Sequence, residues 1–219
     1  MGRRILAIGG YALGSKLDDL VLELGGPKVL FVPTAAADDD SAVVAFYDSF
    51  GARAEASHAA FFPWPREDLR EHALSRDVIY VSGGNTANAL AIWRTHGFDR
   101  VLREAWEAGV LLTGWSAGMI CWFESAVTDS FGPELAPLHD GLGFLPGSAC
   151  PHFDGEARRR PVYTGLVHDG VLPPGLAADD RVGILFEGDE VAEVVSYRDG
   201  ATAYRVTAEG AEPLPARLL

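Results

Sequence analysis

The chain has 219 residues, 48% of them hydrophobic and 22% charged, with a formal net charge of −13. That length suits one α/β domain, residues 1–219, with a core of its own, and no run approaches the ~20 apolar residues that cross a bilayer. The acidic balance argues against nucleic acid and anionic membranes, which both reward clustered Lys and Arg.

The opening MGRRILAIGG joins two arginines to an apolar run too short for a signal peptide. A cytoplasmic protein is therefore expected. Cys121 and Cys150 suit a reducing compartment, and two cysteines alone do not make a metal site. Residues 4–9 (RILAIG) read as a buried strand entering Gly9-Gly10-Tyr11-Ala12-Leu13-Gly14. This glycine turn lacks the G-x-G-x-x-G spacing and the later acidic residue of a dinucleotide site. Leu17, Leu20, Val21 and Leu24 share one helical face, and Gly25-Gly26-Pro27 stops that helix.

Residues 28–32 (KVLFV) form a second strand. Asp38-Asp39-Asp40-Ser41 precedes a helical pattern over 43–50. It reads as helix capping rather than a cation site, because EF-hand spacing is absent. A third strand falls within 52–62, a short helix over 67–75, a fourth strand over 77–81 (DVIYV), and helices over 87–96 and 98–108. Such alternation predicts a doubly wound, mostly parallel sheet. Residues 126–146 read as loop. Strands follow over 181–186, 190–197 and 201–206, the last two as a hairpin over Asp199-Gly200.

Two junctions carry chemistry. Residues 110–124 run from apolar strand into Gly114-Trp115-Ser116-Ala117-Gly118 and then into a helical pattern. This is the G-x-S-x-G form of a nucleophile elbow, in which a strained turn presents a serine at a helix N-terminus. At the second junction, Ser82-Gly83-Gly84-Asn85-Thr86 ends a strand and opens a helix. Adjacent glycines there leave backbone N–H groups facing the crevice at the sheet's C-terminal edge, as an oxyanion hole requires.

A serine hydroxyl needs a base. Among six histidines, His152 stands out: Pro151 restricts its backbone and Asp154 follows two residues on. The orienting carboxylate stays open among Asp129, Glu124, Asp154 and Glu134. Arg158-Arg159-Arg160 is the only dense positive run, suited to gripping a substrate carboxylate in a forked geometry.

Taken together, GGNT at 83–86, GWSAG at 114–118, TDS at 128–130 and CPHFDGEARRRP at 150–161 resemble the S51 serine peptidases, the family of peptidase E and cyanophycinase. The resemblance implies a fold like class I glutamine amidotransferases (flavodoxin-like), with serine replacing the elbow cysteine. It implies Ser116 as nucleophile, His152 as base, and backbone N–H groups of Gly84 and Ala117 as the oxyanion hole. Asp129 is the implied acid, with Glu124 as the alternative.

Arg158, in an E-x-R setting after the histidine, would hold an N-terminal aspartate of the substrate, with Asn85 and Thr86 beside it. Short peptides are the implied partners, and no metal or cofactor is needed. A homodimer is compatible with the resemblance, although no apolar stripe in the sequence demands one. Alternatives are a cyanophycinase-like hydrolase of β-aspartyl peptides, an α/β-hydrolase esterase, and a non-catalytic small-molecule binder on the same fold.

Overall fold

The computed structural model describes residues 2–10, 13–65 and 68–219. In the first half, strands and helices alternate as expected: β1 (Arg4–Ile8), α1 (Lys16–Gly25), β2 (Lys28–Val32), a 3-10 turn (Pro33–Ala36), α2 (Asp40–Phe50), β3 (Glu55–His58), α3 (Leu69–Leu74), β4 (Val78–Val81), α4 (Thr86–His96), α5 (Phe98–Glu107) and β5 (Leu111–Trp115). Side chains set the helix starts. Ser15, Asp39, Asp68 and Asn85 each accept a backbone N–H from the first turn of the helix that follows, relieving donors the helix cannot satisfy itself. Of the three aspartates at 38–40, Asp39 is therefore a cap, while Asp38 accepts from the amides of Phe61 and Phe62.

The second half departs from the expectation. After a one-turn helix α6 (Ala117–Ile120), the chain enters β6 (Phe123–Thr128), β7 (Ala136–Leu138), β8 (Leu145–Cys150), α7 (Arg159–His168), β9 (Gly175–Ala178), β10 (Val182–Glu187), β11 (Glu190–Ser196), β12 (Ala203–Thr207), β13 (Gly210–Pro213) and β14 (Arg217–Leu218). The stretch 126–146 thus contains strand rather than continuous loop. The expected hairpin over Asp199-Gly200 is not formed. β11 pairs antiparallel with β10, whereas β12 pairs with β13 and β9, so the chain changes sheets at that turn.

Among the described residues, the strands make an eight-stranded sheet, ordered β14-β11-β10-β1-β5-β4-β2-β3, and a six-stranded sheet, ordered β13-β12-β9-β8-β6-β7. Strands β1, β5, β4, β2 and β3 pair in parallel. In the smaller sheet β6, β8 and β9 are parallel.

Strand alternation sorts the core into layers. Leu6, Ile8, Val29, Phe31, Val78 and Tyr80 pack with α1 and α2. Their neighbours Ile5, Ala7, Leu30, Val32, Ile79 and Val81 face the opposite layer. That layer holds Trp93 and Leu102 of α4 and α5 and side chains of the smaller sheet such as Leu145 and Ala149. The central strands, buried on both faces, are therefore apolar throughout rather than alternating.

β5 lies between β1 and β4, which puts the elbow at the middle of the sheet's C-terminal edge. Its Trp115 ring stacks 6.3 Å from Phe31, which in turn stacks 4.5 Å from Phe46. Phe31 is fully buried, so Phe31→Ala should cost about 3–5 kcal/mol of stability. Urea unfolding of the two proteins measures this, and a loss below about 1 kcal/mol would contradict the packing described.

Candidate active site

Ser116 sits at the turn between β5 and α6 with φ 55° and ψ −109°, a conformation that L-residues avoid. The turn closes because Gly114 (φ 156°) and Gly118 press against β4: a Cβ on either would overlap the Val81 carbonyl. Ser116 N donates to the Ile8 carbonyl at the end of β1 at 3.1 Å. The hydroxyl is thereby lifted onto the sheet edge, partly exposed. Ala117 opens α6, so its amide is one the helix does not use itself.

The neighbouring strand end supplies Gly84, exposed, with φ 128°. A Cβ there would overlap the Ala35 carbonyl, which accepts instead from Asn85 N at 2.7 Å. At Gly83 a Cβ would come within 2.6 Å of Trp115 Nε1. Both glycines are required by close approach to the elbow and the 3-10 turn, and they bring the Gly84 backbone to the same sheet edge as Ser116.

His152 comes from the smaller sheet, two residues beyond β8, and it too has positive φ, 52°. Its amide donates to the Gly9 carbonyl at 3.2 Å. Ser116 and His152 are thus tethered to consecutive carbonyls at the end of β1. Of the five non-glycine residues with positive φ among those described, Ser116, His152 and Arg181 lie at or beside this site, so backbone strain is concentrated there.

His152 Nδ1 lies 2.7 Å from Asp180 Oδ1. A carboxylate only accepts, so in the neutral ring Nδ1 is the donor and Nε2 keeps the lone pair. Asp180 follows β9, the parallel neighbour of β8, with Cys150 paired to Ala177. The two strand ends therefore deliver Asp180 and His152 side by side. Gly10 and Gly155 frame the carboxylate: a Cβ on the first would overlap Oδ1, and on the second Oδ2. Asp154 Oδ1 accepts from Asp180 N at 2.8 Å, and its other oxygen pairs with Arg198. Burial opposes the charge on Asp154, yet Arg198 and the Asp180 amide together hold its carboxyl below the usual range.

Neither acid expected from the sequence faces His152. Asp129 Oδ1 lies 3.6 Å from the Arg159 guanidinium, and Glu124 accepts from Gly147 N at 2.9 Å. The residues expected to contact substrate have partners of their own. Asn85 commits its carbonyl to Asn88 N and its amide to the Ser130 carbonyl, and Thr86 is buried. Both serve the start of α4. Arg158 is exposed and paired with the exposed Glu134.

Asp180 lies 28 residues from His152, outside any local pattern around the histidine. Its one local signal is a carboxylate pair, Asp179-Asp180, just ahead of a buried strand. Among the described residues, no three His, Cys, Asp or Glu side chains are grouped to hold a metal ion, and no helix is long and apolar enough to cross a membrane. Both cysteines are buried, and burial pushes their thiols up.

The adjoining Asp179 is buried. Burial raises its pKa, the Thr202 amide resists that, and Asp154 adds to it. A carboxylate harder to ionise folded than unfolded costs stability once pH exceeds the ordinary carboxylate range. Asp179→Asn should therefore raise stability at pH 7, and the gain should vanish as pH falls below that range. Denaturation midpoints across pH 3–7 test the sign; a gain that grows towards acid would refute it.

The chain matches the model of peptidase family S51 over residues 11–194. It is 43% identical over 230 residues to the uncharacterized peptidase YgaJ of Bacillus subtilis (strain 168), covering 99% of both chains. It is 28% identical over 143 residues to peptidase E of Shewanella denitrificans, covering 61% of this chain and 60% of that one. The fold is similar to that of a peptidase from an acI-B1 actinobacterium, with a TM-score of 0.72 at 18% identity over 99% of this chain and 95% of that one. This likeness agrees with the mixed α/β, flavodoxin-like architecture described above.

Proposed function

Because the chain belongs to peptidase family S51, we propose that it hydrolyses short peptides through an acyl-enzyme on Ser116, with His152 as base and Asp180 as the orienting acid. The observation that carries this reading is the His152–Asp180 pair, tethered through His152 N to the carbonyl next to the one that holds Ser116 N. Ser116 Oγ attacks the scissile carbonyl and its proton passes to His152 Nε2. The Gly84 and Ala117 amides receive the developing oxyanion. Collapse of the tetrahedral species breaks the C–N bond, and His152 returns the proton to the leaving amine. Water repeats the sequence on the ester and frees Ser116. Asp180 fixes the imidazole tautomer and stabilises the imidazolium.

Arg158 supports a preference for an N-terminal aspartate. Its guanidinium is exposed and its partner Glu134 is exposed too, so the pair is screened and a substrate carboxylate can displace Glu134 at little cost. The shape of the guanidinium favours a bidentate grip.

Hydrolysis of Asp-X, Ala-X and β-Asp-X dipeptides by wild type and variants tests the reading. Asp-X should be cleaved best, and Ser116→Ala should lower kcat by at least ~10⁴-fold. Activity surviving in that variant sinks the mechanism. Asp180→Asn should lower kcat by about 10³–10⁴-fold, whereas Asp129→Asn and Glu124→Gln should leave an intact His152 pair and far smaller losses. Arg158→Met should raise KM for Asp-X by about 10- to 100-fold and leave Ala-X unchanged. Preferential cleavage of β-Asp-X would transfer the chain to the cyanophycinase-like alternative. A folded wild type that binds peptide but cleaves none would mark it as a binder.

A further inference from the structure

Three sequence motifs meet around one side chain that the mechanism does not use. Arg159 is 2% exposed. Its Nε donates to Glu156 Oε2 at 2.7 Å, its Nη1 donates to the Val127 carbonyl at 3.3 Å, and its Nη2 lies 3.6 Å from Asp129 Oδ1. The last two contacts bracket Thr128, whose hydroxyl is 2.8 Å from Ser130 Oγ and accepts from Ser130 N at 3.2 Å.

Ser130 reaches across to the strand end that carries Gly84. Its carbonyl accepts from Asn85 Nδ2 at 2.9 Å and its hydroxyl from Ala87 N at 3.3 Å. On the other side, Glu156 N donates to the His152 carbonyl at 3.1 Å. One buried guanidinium therefore joins the segment after the base to the loop that grips the oxyanion turn.

Burying a guanidinium is costly, and such a group is no evidence of stability by itself. Its three donor directions are what this position uses. They address a carbonyl and two carboxylates on two segments, a pattern an ammonium at the end of a flexible stem cannot reproduce.

We propose that Arg159 is a positioning residue: through Thr128 and Ser130 it holds the Gly84 amide in place for the oxyanion, in register with His152. This rests on the serine mechanism proposed above. Arg159 touches neither substrate nor reacting atoms, so its loss belongs in the chemical step and not in binding.

The test is phosphonylation of Ser116 in the full chain by a fluorophosphonate. The Oγ–P bond forms, fluoride leaves, the Oγ proton passes to the base, and the phosphoryl oxygen occupies the oxyanion position. Arg159→Met and Ser130→Ala should each lower the limiting inactivation rate about 10- to 100-fold with little change in the half-saturating concentration. Arg159→Lys should not recover the rate. The double variant Arg159→Met/Ser130→Ala should be no slower than the slower single, because both act through one chain of contacts.

A wild-type rate in folded Arg159→Met overturns the proposal, as do losses that multiply in the double variant or lie entirely in half-saturation. Should Arg159→Met fail to fold, wild-type rates in both Ser130→Ala and Asp129→Asn overturn it equally. Failure of the wild type to label at Ser116 would overturn the serine reading itself. A labelled wild type with unaffected variants removes the positioning role alone.

Discussion

Two peptide carbonyls at the end of β1 hold the site together. Ile8 O receives the amide of Ser116 and Gly9 O the amide of His152, and both donors sit on residues with positive φ. Each strained residue costs on the order of 1–3 kcal/mol and persists only where its surroundings over-determine it. Here β1 is locked between β5 and β10 and buried on both faces, so its end cannot yield. Rigidity of this one strand end lets two residues from different sheets stay in unfavourable conformations side by side.

The two sheets divide the chemistry. The eight-stranded sheet provides the elbow and the glycine-rich turn after β4, and the six-stranded sheet provides His152 and Asp180, the proposed base and acid, from beyond the ends of β8 and β9. Their relative placement depends on the shared apolar layer, where Phe123, Ala126, Leu145 and Ala149 pack with Ile5, Ala7, Ile184 and Phe186. Such close-packed interiors transmit displacement rather than absorb it. Polar contacts then refine what packing sets coarsely: Asp154 braces the backbone of Asp180, and Ser130 braces the start of α4.

The three consecutive arginines show how helix geometry separates neighbours. Each residue turns about 100° around an α-helix. Arg158 points outward to Glu134, Arg159 is buried against Glu156 and Val127, and Arg160 lies over the rings of Phe153 and Tyr204 at 4.6 and 4.7 Å. A run that reads as one basic patch is three separate interactions.

The elbow, the GGNT turn and the strand–helix alternation through β5 were legible in the primary structure because each depends on residues a few positions apart. Glycines must flank a strained serine, buried parallel strands must be apolar on both faces, and a cap must precede its helix. His152 was legible for a similar reason, through its immediate neighbours Pro151 and Asp154. The partner of that histidine was not. Asp180 is 28 residues away and meets it only because β8 and β9 are parallel neighbours, a pairing that no local pattern encodes. Long-range pairing with β9 likewise drew β12 away from β11, and Asp129 lies by Arg159. Local chemistry singled out Ser116 and His152, and the packing of one strand against another set Asp180 beside the histidine.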